Sequence, residues 1–192
     1  MLPTLPEGKI DPRVRRTRQM LVQAFTELIH EKEFKSITIQ DITARADVNR
    51  STFYSHFPDK FALLDYKIRQ EFRAEIEKRT LNACHFSVDN LRALIVTVCE
   101  FIREANSQCK SPRGQFEPLM EAQIKGQIKD LLLTWLKQTG SDVPPEMVAV
   151  AASWAIYGLA EYWNQQKDHD SVNEYVEMIL PLAEANLQLS RA

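Results

Sequence analysis

Apolar positions recur every three to four residues along almost the whole chain, and no stretch of any length alternates on a two-residue period. This predicts helices throughout. Asp11 followed by Pro12 reads as a helix start, an N-cap followed by a residue whose fixed φ suits the first turn. Leu21, Ala24, Phe25, Leu28 and Ile29 then form one inward stripe, and the polar stretch Glu31–Ser36 is expected to end the helix. Thr38 with Asp41 resembles a capping box and opens a second helix with Ile39, Ile42 and Ala46 facing inward. Asp47–Val48 is expected to turn the chain, and Asn49 to cap a third helix reaching about His56. Pro58 breaks the chain and Asp59 caps a long fourth helix, where Leu64, Ile68, Phe72 and Ile76 keep a four-residue step.

Beyond residue 80 the same period continues. Asp89 or Asn90 is expected to start a helix carrying Leu91, Leu94, Ile95, Val98, Phe101 and Ile102. Ser107–Gly114 is predicted as a loop, Glu117–Gln138 as an amphipathic helix and Gly140–Pro145 as a linker. Val148–Trp163 is apolar almost all round, so it must be covered on two sides. A last helix begins at Ser171, with Pro181 expected to kink or restart it. The predicted fold is all-α, about nine helices. A flexible arm (1–10) precedes a three-helix unit (11–58), and a larger helical body (59–192) begins with a connecting helix (59–80).

At 192 residues, 44% apolar and 26% charged, the composition is that of a folded domain with a sizeable core. Cys84, Cys99 and Cys109 are odd in number and lack C-x-x-C spacing, which favours reduced thiols. The N-terminus has no apolar run and Val148–Ala160 is too short to span a bilayer, so a cytoplasmic protein is expected. The formal net charge is −2 at pH 7, but it is unevenly spread. Residues 1–60 hold ten Lys/Arg and eight Asp/Glu, +2, and the remainder fourteen and eighteen, −4. Arg13, Arg15, Arg16 and Arg18 cluster in the positive part, where they raise the local potential.

The types at 38–60 suit one chemistry above others. A helix entering the DNA major groove by its N-terminal end needs short or reaching polar groups in its first turn, and Asn49, Arg50, Ser51 and Thr52 supply them. A guanidinium at Arg50 can bridge guanine O6 and N7, and Thr52 can offer a methyl to thymine or a hydroxyl to base or phosphate. Tyr54, His56 and Lys60 lie beyond that turn and suit phosphate oxygens, which fix register without reading sequence. Phe53 and Phe57 are assigned to the small core. Ser107-Gln108-Cys109-Lys110 matches a Ser-x-x-Lys pattern without any partner motif. Cys84-His85 lacks metal spacing, so neither an enzyme, a cofactor nor a metal is expected.

The segment resembles the DNA-binding domain of the TetR/AcrR family of bacterial transcriptional regulators. Its pattern is a Thr-initiated helix, an Ile-Ala-x-x-Ala-Gly-Val turn, then Thr-x-Tyr-x-His-Phe-x-x-Lys and two leucines. Here Thr38, Ile42-Thr43, Ala46-Asp47-Val48, Thr52-Phe53-Tyr54-Ser55-His56-Phe57, Lys60 and Leu63-Leu64 carry it. Asp47 stands at the usual Gly, Asn49 at a common Ser and Ser51 at a common Gly. The resemblance implies phosphate contacts at Tyr54, His56, Lys60 and Thr38, and a repressor working as a homodimer on a palindromic operator in double-stranded DNA. It also implies an interface built from the last two long helices, for which Trp154, Gly158, Tyr162, Tyr175 and Ile179 are the candidates. A ligand pocket is implied inside the second body, with Phe101, Met120, Gln123, Trp135, Trp154 and Tyr157 as candidate walls for a small hydrophobic or amphipathic effector. The alternative is a body that docks a protein partner instead; an enclosed pocket favours sensing and a filled core with an exposed groove favours docking.

Overall fold

The structure, a computed structural model, describes residues 11–79, 85–108, 117–137, 143–166 and 171–187. These hold eight α-helices: α1 (Pro12–Glu31), α2 (Ile39–Arg45), α3 (Arg50–His56), α4 (Lys60–Arg79), α5 (Val88–Gln108), α6 (Glu117–Leu136), α7 (Pro145–Gln165) and α8 (Val172–Asn186). A single 3-10 turn, Phe34–Ser36, separates α1 from α2, and no strand occurs among the described residues. The fold is all-α, close to the nine helices expected. The 1–10 arm, most of the Ser107–Gly114 loop, and Cys84, Cys109 and Lys110 lie outside the described residues.

Local rules set most helix ends. Asp11 accepts from the Arg13 N–H at 2.8 Å at the head of α1. Thr38 and Asp41 close a reciprocal capping box on α2, with Asp41 N to Thr38 Oγ1 at 3.1 Å and Thr38 N to Asp41 Oδ2 at 2.8 Å. Asp59 Oδ1 accepts from the Ala62 N–H at 2.8 Å and so opens α4. Two ends differ from expectation. Ser87, not Asp89 or Asn90, caps α5, its hydroxyl accepting from the Asn90 N–H at 3.1 Å. α8 runs through Pro181 as one helix, because a proline three turns in needs only one ladder bond removed and its neighbours are held by the core.

The stretch after α1 is also less polar than its composition. Phe34 is buried and packs edge-on to Phe25 (6.0 Å between ring centroids) and Phe61 (5.1 Å), so the 3-10 turn is pinned to the core rather than looped out. α1, α2 and α3 pack on one another around Leu21, Phe25, Ile42 and Phe53, all fully buried. α4 leaves this unit through Leu63 and Leu64 and packs by Ile68, Phe72 and Ile76 against α5 and α6. α5, α6, α7 and α8 close the larger body around Leu94, Ile95, Ile128, Trp135, Ile156 and Trp163. Asn164 ties α7 to α5, its amide donating to the Cys99 carbonyl at 3.0 Å.

Candidate nucleic-acid interface

The turn between α2 and α3 is short because Asp47 takes the left-handed conformation (φ 52°). Glycine is the easiest residue there, but Asp is among those that visit this region with least penalty. The Val48 N–H then returns to the Thr43 carbonyl at 3.0 Å, which fixes the angle at which α3 leaves α2.

Asn49 organises the first turn of α3. Its Oδ1 accepts from the Thr52 N–H at 2.8 Å, from Ser51 Oγ at 2.6 Å and from Thr52 Oγ1 at 2.9 Å. One carbonyl oxygen therefore caps the helix and orients both hydroxyls. With their protons turned inward, the Ser51 and Thr52 oxygens present lone pairs outward, to be met by donors. Arg50 projects next to them and donates to Gln40 Oε1 at 2.8 Å, so its guanidinium is held across the α2–α3 groove. Gln40 was not singled out in the sequence, since nothing in the i, i+10 spacing marks the pair.

Tyr54 is 55% exposed on the outer side of α3, its ring edge-on to Phe53 at 5.7 Å. His56 is half-buried; burial first, and the nearby Arg18 charge second, hold its imidazole below the usual 6.5, toward the neutral form. Arg18 itself lies over the Tyr66 ring at 5.4 Å and the Phe57 ring at 5.9 Å, whereas Arg13, Arg15 and Arg16 are exposed. Thr38 is exposed at the start of α2, its side chain within the capping box, where burial is slight and the Thr38 bonds hold the Asp41 carboxyl down at about 2.

Lys60, expected at a phosphate, is held by backbone carbonyls in the free protein. Its ammonium donates to the carbonyls of Phe34 (2.9 Å), Lys35 (3.2 Å) and Ile37 (2.8 Å) and sits 4.5 Å from the Phe34 ring centroid. All three donors are used, and burial lowers its pKa. The arrangement has a physical reason: the carbonyls of Phe34, Lys35 and Ile37 converge at the 3-10 turn, the Phe34 carbonyl also accepting from the Ile37 N–H at 3.1 Å, and the first residue of α4 is where a cation can reach them. Lys60 thereby locks α4 to the base of α2.

The candidate pocket and interface residues scatter. Phe101 and Met120 line a cavity between α1, α4, α5 and α6. Trp135 is buried against Phe86, a core contact at 6.0 Å, and Gln123 accepts from Arg69 at 3.3 Å on the surface. Tyr157 is buried, while Trp154 is 60% exposed with Lys125 Nζ 3.1 Å from its ring centroid, so Trp154 lines no interior space. On the expected interface Trp154, Gly158 and Tyr162 lie along the outer side of α7. Tyr175 and Ile179 do not: Tyr175 stacks on Trp163 at 6.2 Å and donates to the Leu159 carbonyl at 2.8 Å, and Ile179 is buried. The exposed apolar side chains of α8 are Met178 and Leu182. Both pairs keep a four-residue step, so period alone did not tell which faced in.

A tight helix pair with a polar, pre-capped and exposed first turn on its second member is a helix-turn-helix, and it makes this chain a DNA-binding protein of that class. Residues 21–66 match the family model described as bacterial regulatory proteins, tetR family. The match covers the helix-turn-helix segment, which is of the type found in TetR-family transcriptional regulators. The chain is 28% identical over 189 residues to the HTH-type transcriptional repressor DhaR of Mycobacterium sp. (strain GP1), covering 87% of this chain and 94% of that one. To the uncharacterized HTH-type transcriptional regulator YxbF of Bacillus subtilis (strain 168) it is 40% identical over 76 residues, 39% of this chain but only 20% of that relative's length. The solved structure of the dihydroxyacetone kinase operon activator DhaS superposes with a TM-score of 0.55 at 19% identity, covering 90% of this chain and 96% of that one. At that identity the likeness is one of fold. No described helix is long and apolar enough to cross a membrane.

Proposed function

We propose that the chain is a homodimeric repressor that holds an imperfectly palindromic operator through α3 and is released from it by a small hydrophobic or amphipathic molecule. The observation that carries the DNA role is the Asn49 hub, which orders the Ser51 and Thr52 hydroxyls and the start of α3 in the free protein. Arg50, Ser51 and Thr52 read bases; Thr38, Tyr54 and His56 hold phosphates; Lys60 holds the scaffold. Residues 11–58 act as the reading unit, and α4 as the lever to the body that follows.

Dimerisation is supported by a stripe of exposed large apolar groups: Trp154 and Tyr162 (58% exposed) on α7, Met178 (64%) and Leu182 on α8. Gly158 lies in that stripe, and a Cβ added there would meet nothing within 4 Å of its own protomer. Its bareness therefore serves no packing inside the chain and leaves room for a partner helix. DhaR's name supports a repressor, while the same fold in an activator shows that the fold alone does not set the sign. A partly open cavity among the described residues gives a small molecule a place to bind, which supports sensing over a docked protein as the release signal.

The test is fluorescence anisotropy with operator DNA selected from genomic fragments. Arg50→Ala is expected to lose about 1–3 kcal/mol of discrimination at one base pair per half-site. Equal weakening on every sequence would contradict a base-reading role.

A further inference from the structure

Gln40 is exposed on the first turn of α2, and Arg50 is exposed on the first turn of α3. One bond joins them: Arg50 Nη2 donates to Gln40 Oε1 at 2.8 Å. A guanidinium can only donate, so the bond fixes which end of the Gln40 amide faces Arg50, its oxygen. Nη2 carries two N–H groups, one on each of the two double-donor edges of the guanidinium. A single acceptor occupies one of them, and the other edge keeps both of its donors. Two parallel donors are what guanine O6 and N7 accept from. The tether therefore leaves Arg50 its full capacity to read a guanine.

What the tether removes is a competitor. An arginine beside DNA has two classes of acceptor within reach, base edges and phosphate oxygens, and its fork fits both. Phosphates carry the charge, and a contact with them reads no sequence. We infer that Gln40 is a specificity-determining positioning residue: by holding Arg50 across the α2–α3 groove, it keeps the guanidinium off the phosphates and presents the free edge to one guanine. The inference rests on the base-reading role of Arg50 proposed above and supplies what makes that role selective.

The surroundings explain why a neutral amide does this work. Arg50 has no other hydrogen-bond partner among the described residues. The other acceptors of the helix pair are committed elsewhere. Asn49 Oδ1 takes the Thr52 N–H and two hydroxyls, and the Asp41 carboxylate takes Thr38 and Lys32. Glu27 and Glu31 hold Arg45. A carboxylate at position 40 would also tether Arg50, but it would cancel the charge of the guanidinium and repel the DNA backbone. The Gln40 oxygen orders the side chain and leaves that charge whole. Arginine has many rotamers, so settling them before DNA arrives is worth roughly two- to tenfold in the contact it then makes.

Fluorescence anisotropy of the full chain tests this on three kinds of duplex: the selected operator, the operator with each base pair replaced in turn, and a scrambled duplex of equal length. Arg50→Ala first marks the G·C pair whose discrimination depends on Arg50. Gln40→Met is close in size but lacks the acceptor, and should reduce discrimination at that pair by roughly two- to tenfold. Its affinity for the scrambled duplex should hold or rise, with a salt dependence steeper by up to about one ion per protomer, as Arg50 turns to a phosphate. Gln40→Glu restores an acceptor, so it should keep the guanine preference within about twofold while weakening every duplex. In an Arg50→Ala background, Gln40→Met should change discrimination at that pair by less than about twofold. Both positions are exposed, so circular dichroism should show the same fold for every variant. Unchanged discrimination in Gln40→Met, equal weakening on all duplexes, a loss in Gln40→Glu as large as in Gln40→Met, or a loss that persists without Arg50 would each overturn the assignment. If Arg50→Ala leaves discrimination intact at every position, the base-reading role fails and the positioning role falls with it. If Arg50→Ala loses it and Gln40→Met does not, the reader stands and only the positioning role fails.

Discussion

The outer face of α3 and the outer face of α7 and α8 are both open to solvent, yet they expose opposite chemistry. On α3 the outward groups are Arg50, Ser51, the half-buried Thr52 and Tyr54, with both hydroxyls ordered by Asn49 and the guanidinium held by Gln40. On α7 and α8 they are Trp154, Tyr162, Met178 and Leu182. A polar face that is pre-ordered suits a hydrated, charged surface, since binding then costs little side-chain freedom. A face of large apolar groups suits a dry partner, and a patch of this kind is a candidate interface. On the function proposed above, the contrast separates the face that would meet DNA from the face that would meet a second copy.

The largest effect should come from spoiling the apolar face. Trp154→Arg with Met178→Glu is expected to raise the dimer dissociation constant at least about a hundredfold, as two central anchors are lost. Sedimentation equilibrium reads this, and circular dichroism should show an intact monomer, because neither side chain is buried in its own protomer. A dimer of unchanged affinity would mean that the stripe meets something else.

Lys60→Met comes next and tests the line between scaffold and interface. Loss of the ammonium leaves the Phe34, Lys35 and Ile37 carbonyls short of a donor, with an expected cost of about 1–3 kcal/mol in chemical denaturation. The dependence of DNA affinity on salt should not change. A slope reduced by about one ion per protomer would restore Lys60 to the phosphate contacts.

Asn49→Ala should cost about 1 kcal/mol of stability through the lost cap. Its effect on operator affinity should exceed that, since the Ser51 and Thr52 hydroxyls are released as well. Asn49→Asp keeps the acceptor and should retain the fold while weakening DNA binding, because it adds a negative charge beside the phosphates.

The smallest effect is a pH dependence at the foot of α2. The Thr38 bonds hold the Asp41 carboxyl at about 2, below its usual 3.8. A carboxyl lowered on folding stabilises the protein above its unfolded pKa, and that contribution fades as pH falls from about 4 toward 2. In Asp41→Asn this part of the acid-stability slope should vanish. An identical slope in both proteins would show that the capping box does not persist in solution.

How far these features could be read in advance follows from their range. The caps at Asp11, Thr38, Asn49 and Asp59 depend on neighbours three residues away or fewer, and the reading of each agrees with the structure. The four-residue step placed Leu64, Ile68, Phe72 and Ile76 inside. Partners far apart in sequence were not legible. Nothing local tells that Lys60 turns back on Phe34, that Tyr175 stacks on Trp163, or that Glu71 and Glu104 share a cavity wall. Trp154 shows the same limit: the sequence places it among both the pocket walls and the interface candidates, and only the packing of α6 and α7 puts it outside.

The central claim is that α3 of two associated protomers reads two half-sites on one face of DNA. The measurement that meets it most directly is selection of bound fragments from the source genome, followed by hydroxyl-radical footprinting of the protein on them. The expected result is an imperfect palindrome protected in successive major grooves, with half-site centres about 34–36 Å apart or a multiple of that, and two protomers per site. An unpaired site occupied by one protomer, or no sequence preference at all, would contradict it.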